Sequence, residues 1–222
     1  HNTVNMSFKL YKVGGSAPVR AVLMTVEILQ INFETQDVDL LNGEHLKPEY
    51  LKKNPAHTIP MIEEDDFVLA DSLAIITYLA SKYGDEQLYP SDLKIRATII
   101  QRLFFEATVL HKAYGAIFTG VMHEGQTVLT RQQIEVMNAA YEILDRYLQK
   151  TKFVACDHVT LADISCVAMV TTTAYWVPVD DKFTKVKAWL NTLEKEDWYK
   201  KGNLPGMAIY EAYFNAKLNK GA

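Results

Sequence analysis

The chain has 222 residues, 49% of them hydrophobic, with 23 basic and 27 acidic side chains and a formal net charge of −4. That length holds one large or two small domains around a core that needs no staples. The charge balance argues against a general nucleic-acid surface or a polybasic membrane face. No apolar run reaches the roughly 18 residues of a membrane span. The two cysteines, Cys156 and Cys166, stand ten apart. This spacing fits neither a redox pair nor a zinc knuckle, and it reads as two free thiols in a reducing compartment.

The segment His1–Asn5 lacks the apolar core of a signal peptide, and Met6 reads as the natural start. Alternation over Phe8–Val13 predicts a strand, and the apolar periodicity from Ala17 to Ile31 predicts a helix. A second strand is expected around Phe33–Leu40. A short helix is expected near Pro48–Lys53, inside the polar segment 42–55. Two short strands follow, Thr58–Glu63 and Phe67–Ala70, joined by the acidic turn Glu64-Asp65-Asp66. Asp71 or Ser72 caps a helix running to about Tyr83. The order is βαβ then ββα, a small α/β sandwich on a mixed sheet.

Gly84 to Leu93, with Gly84, Pro90 and Ser91 among charges, reads as a linker. Beyond it only helical periodicities appear. A long helix is predicted over Leu93–Met122, with Ile95, Ile99, Leu103, Ala107, Leu110, Tyr114 and Ile117 as its apolar stripe. Arg131–Gln149 repeats the pattern. Ala162–Trp176 is apolar nearly all round, as a central buried helix would be. Thr184–Leu193 and Pro205–Lys217 complete a helical second domain.

The chemistry concentrates at a strand-to-helix turn, Gly14-Gly15-Ser16-Ala17-Pro18-Val19-Arg20. A hydroxyl there sits where backbone N–H groups and the positive end of a helix converge on an anion. Serine is also a common helix N-cap, so the turn by itself supports both readings. No metal cluster, phosphate loop or nucleophile elbow appears elsewhere in the sequence.

Four motifs recur in order: Ser16-x-Pro18-x-Arg20; Asn54-Pro55-Ala56-His57 running into Thr58-Ile59-Pro60; Asp71-Ser72 opening a helix; and Thr160-x-x-Asp163. On these motifs the chain resembles the soluble glutathione transferases, most closely the insect delta and epsilon classes, over residues 7–217. The resemblance implies a thioredoxin-like glutathione-binding domain over 7–84. It also implies an all-helical domain over 92–222 that carries most of an apolar substrate pocket. It further implies a cytoplasmic homodimer that conjugates glutathione to apolar electrophiles in detoxification. Glutathione would be the co-substrate, with no metal, nucleic acid or membrane partner. A carrier of hydrophobic ligands, and a glutathione-dependent peroxidase or isomerase, are the alternatives on the same fold.

The resemblance also distributes roles. Ser16 would donate a hydrogen bond to the glutathione sulfur and hold it as a thiolate. Moving a thiol pKa down by about two units from about 8.5 needs roughly 2.7 kcal/mol. One charge-assisted hydrogen bond of about 1.5–3 kcal/mol and a helix end of about 0.3–1 kcal/mol suffice. Pro60 would be cis, presenting the backbone of Ile59 to the cysteine of glutathione, next to Thr58. Asp71 would take the γ-glutamyl ammonium, while Ser72 and the helix N-terminus take its carboxylate. Many relatives carry Arg or His after that serine, and this chain has Leu73. His57 and His45 would approach the glycine carboxylate, with Lys53 as a lesser helper, while His45 also reads as a solvated surface histidine. The electrophile pocket would be lined by Val13, Tyr114, Phe118, Val121 and Met122, with Phe214 from the last helix. Ile117 is read as core, Arg20 as surface packing, and Phe104 or Phe105 as a dimer contact. Thr160-x-x-Asp163 is read as a capping box, where an alanine change costs about 1 kcal/mol or more.

Overall fold

The computed structural model describes residues 8–84 and 86–219. The proposed start at Met6, and the outermost residues of the two domain ranges, 7 and 220–222, lie outside the described residues. Strand β1 (Phe8–Lys12) leads through a turn to α1 (Ala17–Leu29), and β2 (Phe33–Asp37) pairs parallel to β1. A 3₁₀ turn (Glu44–Leu46) and α2 (Pro48–Lys53) precede β3 (Met61–Glu64) and β4 (Phe67–Ala70), which pair antiparallel. The sheet order is β2-β1-β3-β4, and α3 (Ser72–Tyr83) closes the unit.

Period-2 alternation divides the strands between two cores. Phe8, Leu10 and Ile62 point into the large core with α1 and α3. Tyr11 and Met61 point the other way, into a small cluster with Val38 and Tyr50 of α2. Strands β2 and β3 are both shorter than expected. β2 stops at Asp37, with Val38 turned into the small cluster. β3 begins only after the proline, because the Thr58 carbonyl is taken by Tyr50 Oη at 2.8 Å and Asn54 Nδ2 at 2.9 Å. Glu64, expected in the acidic turn, is the last residue of β3. It is buried, and Tyr78, Lys82 and Tyr83 of α3 all donate to it.

The helical part contains α4 (Leu93–Phe105), α5 (His111–His123), α6 (Arg131–Leu148), α7 (Leu161–Ala174), α8 (Thr184–Leu193), α9 (Asp197–Gly202) and α10 (Leu204–Asn219). Helix α7 is buried on nearly every face, as its uniform apolarity requires. The expected single helix over 93–122 is interrupted. Residues Glu106–Leu110 form a π-helical turn in which the His111 N–H reaches the Glu106 carbonyl. Ala107, expected on the apolar stripe, is exposed, and Glu106 takes the buried position between Leu103 and Leu110. Helix α9 was not anticipated, since its six residues carry Asp197, Lys200 and Lys201 and no apolar period. Cys156 and Cys166 are free thiols, the latter fully buried.

The chain's last two helices return to its first. A Cβ on Gly202 would lie 2.6 Å from the Met24 backbone nitrogen, so α9 can approach α1 only with glycine there. Arg20, expected at the surface, is 1% exposed between α1, α7 and the start of α10. Its guanidinium donates to the Ala168 carbonyl at 3.0 Å, to Thr171 Oγ1 at 3.1 Å, and to Thr172 Oγ1 and Asn203 Oδ1. These partners are all neutral. Burial lowers its pKa to about 10, which leaves it charged near neutral pH.

Candidate active site

The strand-to-helix turn is built by two constraints. Gly15 has φ +86°, and a Cβ there would press within 3.1 Å of the Tyr210 backbone nitrogen on α10. Glycine therefore serves both the turn and the close passage of the last helix. Ser16 then occupies the N-cap position of α1 with extended dihedrals, φ −61° and ψ 125°, and its side chain makes no capping hydrogen bond. Pro18 explains part of this, because it lacks the N–H that a capping oxygen would reach at that place. Ser16 is half-buried at the positive end of α1.

The second motif folds into a compact corner. Ile59-Pro60 is a cis peptide bond. Ile59 packs with Val13 against the Tyr11–Tyr50–Met61 cluster. The rings of His45 and His57 lie 6.0 Å apart, on segments separated by the whole of α2. His57 takes φ 48°, a left-handed conformation uncommon for a side-chain-bearing residue. His45 Nδ1 is buried without a hydrogen-bond partner. Lys53 points elsewhere: its ammonium bonds Glu63 at 2.7 Å and the Tyr11 hydroxyl at 2.9 Å.

Asp71 caps α3, accepting from Leu73 N at 2.9 Å and Ala74 N at 3.3 Å, both on the same oxygen, Oδ1. Its φ of 74° is strained for an aspartate and is held by the cap. Capping uses one carboxylate oxygen, and the residue is exposed.

In the helical unit, α5 sorts its side chains by turn. Ala113, Ile117, Gly120 and Val121 face the core, while Tyr114, Phe118 and Met122 lie half-buried along the adjacent stripe. Ile117 is fully buried, as expected, and Val121 lies with it in the core. Phe214 is 3% exposed and forms the apolar backing to that stripe, its ring 6.4 Å from Phe118. Val13 packs in the small cluster rather than with Tyr114 and Phe118.

Two residues not anticipated from the sequence join this wall. The Trp176 indole donates to the Tyr210 hydroxyl at 2.6 Å, and that oxygen lies 3.0 Å from the Tyr114 hydroxyl. Burial pushes the Tyr114 phenol far above its ordinary value, so it stays protonated. Two shallow cavities, of ≈ 310 and ≈ 510 Å³, lie elsewhere and include neither Ser16, His45, His57, Asp71 nor Ser72.

With this geometry in place, comparison with known proteins is direct. The family models for the glutathione S-transferase N-terminal and C-terminal domains match residues 10–87 and 107–197. The chain belongs to the glutathione S-transferase family. Glutathione S-transferase 1 of Manduca sexta is 40% identical over 218 residues, covering 96% of this chain and all of the relative. An epsilon-class glutathione S-transferase from the housefly Musca domestica superposes with a TM-score of 0.91 at 41% identity, over 95% of this chain and 98% of that one. A glutathione transferase homologue from a fruit fly, solved with bound glutathione, gives 0.91 at 35% identity over 96% and 98%. The thioredoxin-like unit followed by an all-helical unit is therefore the architecture of this family as well as of this chain.

Proposed function

We propose that this glutathione transferase binds glutathione along the cleft edge from Ser16 past Ile59 to Ser72 and conjugates its thiolate to apolar electrophiles in detoxification. The Ser16 hydroxyl donates its proton to the sulfur, acting neither as nucleophile nor as base. The observation that carries this is the hydroxyl's position at a helix start without a capping bond. A serine engaged as a cap would have its oxygen committed to a backbone N–H. An uncommitted hydroxyl and the helix end could together supply the roughly 2.7 kcal/mol that a two-unit fall in thiol pKa needs.

The rest of the peptide follows from complementary chemistry. Ile59 offers backbone groups to the cysteine, His45 and His57 hold the glycine carboxylate, and Asp71 and Ser72 receive the γ-glutamyl end. Tyr114, Phe118 and Met122 line the electrophile's side, backed by Phe214. Phe105 is buried in the core, whereas Phe104 on α4 is 64% exposed and Phe67 on β4 is 42% exposed. These exposed aromatics support a homodimer that covers them. Among the described residues no helix is long and apolar enough to cross a membrane, and a cytoplasmic enzyme is proposed.

Ultraviolet titration of the thiolate of bound glutathione tests the reading. Wild-type protein should ionise the thiol well below its free pKa, and Ser16→Ala should return it most of the way. An unshifted titration in the wild type would refute the mechanism.

A further inference from the structure

Glutathione's γ-glutamyl end is a zwitterion, with an ammonium and a carboxylate on one carbon. A site for it is best built from one anion and one cation. Asp71 provides the anion, and position 73 provides only a leucine. Three basic groups are committed elsewhere: Lys53 is bonded to Glu63, Lys82 to Glu64, and Arg20 is buried between α1, α7 and the start of α10.

The π turn of the first long helix points to the missing charge. In a regular α-helix, residues five apart face different directions. In the turn Glu106–Leu110 the hydrogen bond runs from His111 N–H to the Glu106 carbonyl, so residues 106 and 111 come onto one face. Their side chains meet, with Nδ1 of His111 3.7 Å from Oε1 of Glu106. The Glu106 side chain is 7% exposed and that of His111 47% exposed, so a buried carboxylate lies beneath an accessible imidazole. The His111 ring also lies 6.5 Å from that of Tyr114, on the electrophile wall.

We infer that the Glu106–His111 pair supplies the cation of the γ-glutamyl site, with His111 donating from Nε2 to the α-carboxylate of glutathione while Asp71 receives the ammonium. This rests on the reading that the γ-glutamyl end lies at Asp71 and Ser72. Glu106 lies beneath the imidazole, and the Tyr114 ring sits one turn further along α5. The adjacent Lys112 is exposed. The hydrogen bond to Glu106 raises the His111 pKa most, burial opposes it, and the charges of Glu106 and then Asp71 raise it further. Leu73 and the π turn then belong together, since the second supplies the charge that the first omits.

S-Methylglutathione isolates the effect, because it has no thiol to ionise. Its affinity should be measured by titration calorimetry between about pH 5.5 and 8.5, where imidazoles lose their charge. Wild-type affinity should fall about fivefold as His111 deprotonates, a size set by one partly solvated charge-assisted hydrogen bond. His111→Gln should bind about fivefold more weakly at the acid end and lose most of that pH dependence. Glu106→Gln should move the fall to lower pH. Leu73→Arg added to His111→Gln should restore tight binding without restoring the part of the pH dependence that His111 carried. S-Methylcysteinylglycine, which lacks the γ-glutamyl residue but keeps the end facing His45 and His57, should bind wild type and His111→Gln alike. Wild-type affinity and pH slope for S-methylglutathione in His111→Gln would overturn the assignment. Wild-type affinity in Asp71→Asn, where the cap survives, would instead remove the placement beneath it and the assignment with it.

Discussion

Helix α1 begins at Ser16 and helix α7 at Thr160, and the two hydroxyl residues stand in opposite circumstances. At α7 the cap is closed. Asp163 is fully buried and accepts from Thr160 N at 2.9 Å, Thr160 Oγ1 at 3.1 Å, Val154 N at 2.9 Å and Trp189 Nε1 at 3.0 Å. One carboxylate thereby joins the start of α7, the loop before it, and α8. At α1 the side chain makes no capping bond and stays half-buried beside the cleft. The same local chemistry of hydroxyls and orphan N–H groups thus serves cohesion in one place and, in the function proposed above, ligand binding in the other. What separates them is whether the chain itself satisfies the helix end.

The comparison would break if either cap behaved like the other. Asp163→Ala should cause the largest loss, about 4 kcal/mol of unfolding free energy, because four buried donors lose their acceptor. Chemical denaturation would measure it, and the folded fraction should keep wild-type kinetics. A loss under about 1 kcal/mol would reduce Asp163 to an ordinary cap. Arg20→Met comes next, at about 3 kcal/mol, since Asn203 and the other acceptors that hold the guanidinium would be left in the domain interface. Arg20 follows Ser16 by one turn of the same helix, so this variant also asks whether the interface holds the active-site helix in place.

Ser16→Ala inverts that pattern. The turnover number should fall about a hundredfold, equivalent to about 2.7 kcal/mol of transition-state stabilisation. The affinity for S-methylglutathione should change little, because that ligand has no thiolate to stabilise. Stability should change by less than about 0.5 kcal/mol, below the roughly 1 kcal/mol usual for a lost N-cap, because no capping bond is lost. A destabilisation of full cap size, with turnover preserved, would make Ser16 a structural residue.

The contrast between the two caps also shows what the sequence could express. Alternation in β1, the buried apolarity of α7 and the motif order were all legible, because each is a local pattern answered by local geometry. The two readings of Ser16 stayed open in the sequence, since only the fold shows whether a hydroxyl meets a backbone N–H. Arg20 was misplaced for a related reason. An arginine normally belongs at the surface, and its partners Ala168, Thr172 and Asn203 lie about 150 or more residues away. Glu106 did leave a signal. It occupies a helical core position between Leu103 and Leu110, where an acid is costly unless it has a partner. Its partner at the fifth residue could not be read from α-helical spacing, because the π turn that aligns them changes the period. Helix α9 left no pattern, since its place is fixed by contact with α1 rather than by an apolar stripe of its own.

The smallest effect concerns that π turn and completes the comparison, because Glu106 resembles Asp163 in burial but has a titratable partner. The folded-state pKa of His111 is raised above the ordinary value of 6.5, chiefly by Glu106. The folded protein therefore holds this proton more tightly than the unfolded chain. Its contribution to stability is fully present below about pH 6.5 and is lost as pH rises through the raised value. With the His111 side chain 47% exposed, solvent screens the pair, and the change should stay within about 0.5 kcal/mol. Nuclear magnetic resonance of the imidazole should give a midpoint above 6.5 in the wild type. Glu106→Gln should lower that midpoint, and Asp71→Asn should lower it by less, following the order of their influence. An unshifted midpoint in the wild type would mean that the buried carboxylate does not hold the imidazolium. The difference between a cap closed by the chain and a charge held for a ligand would then disappear at this position.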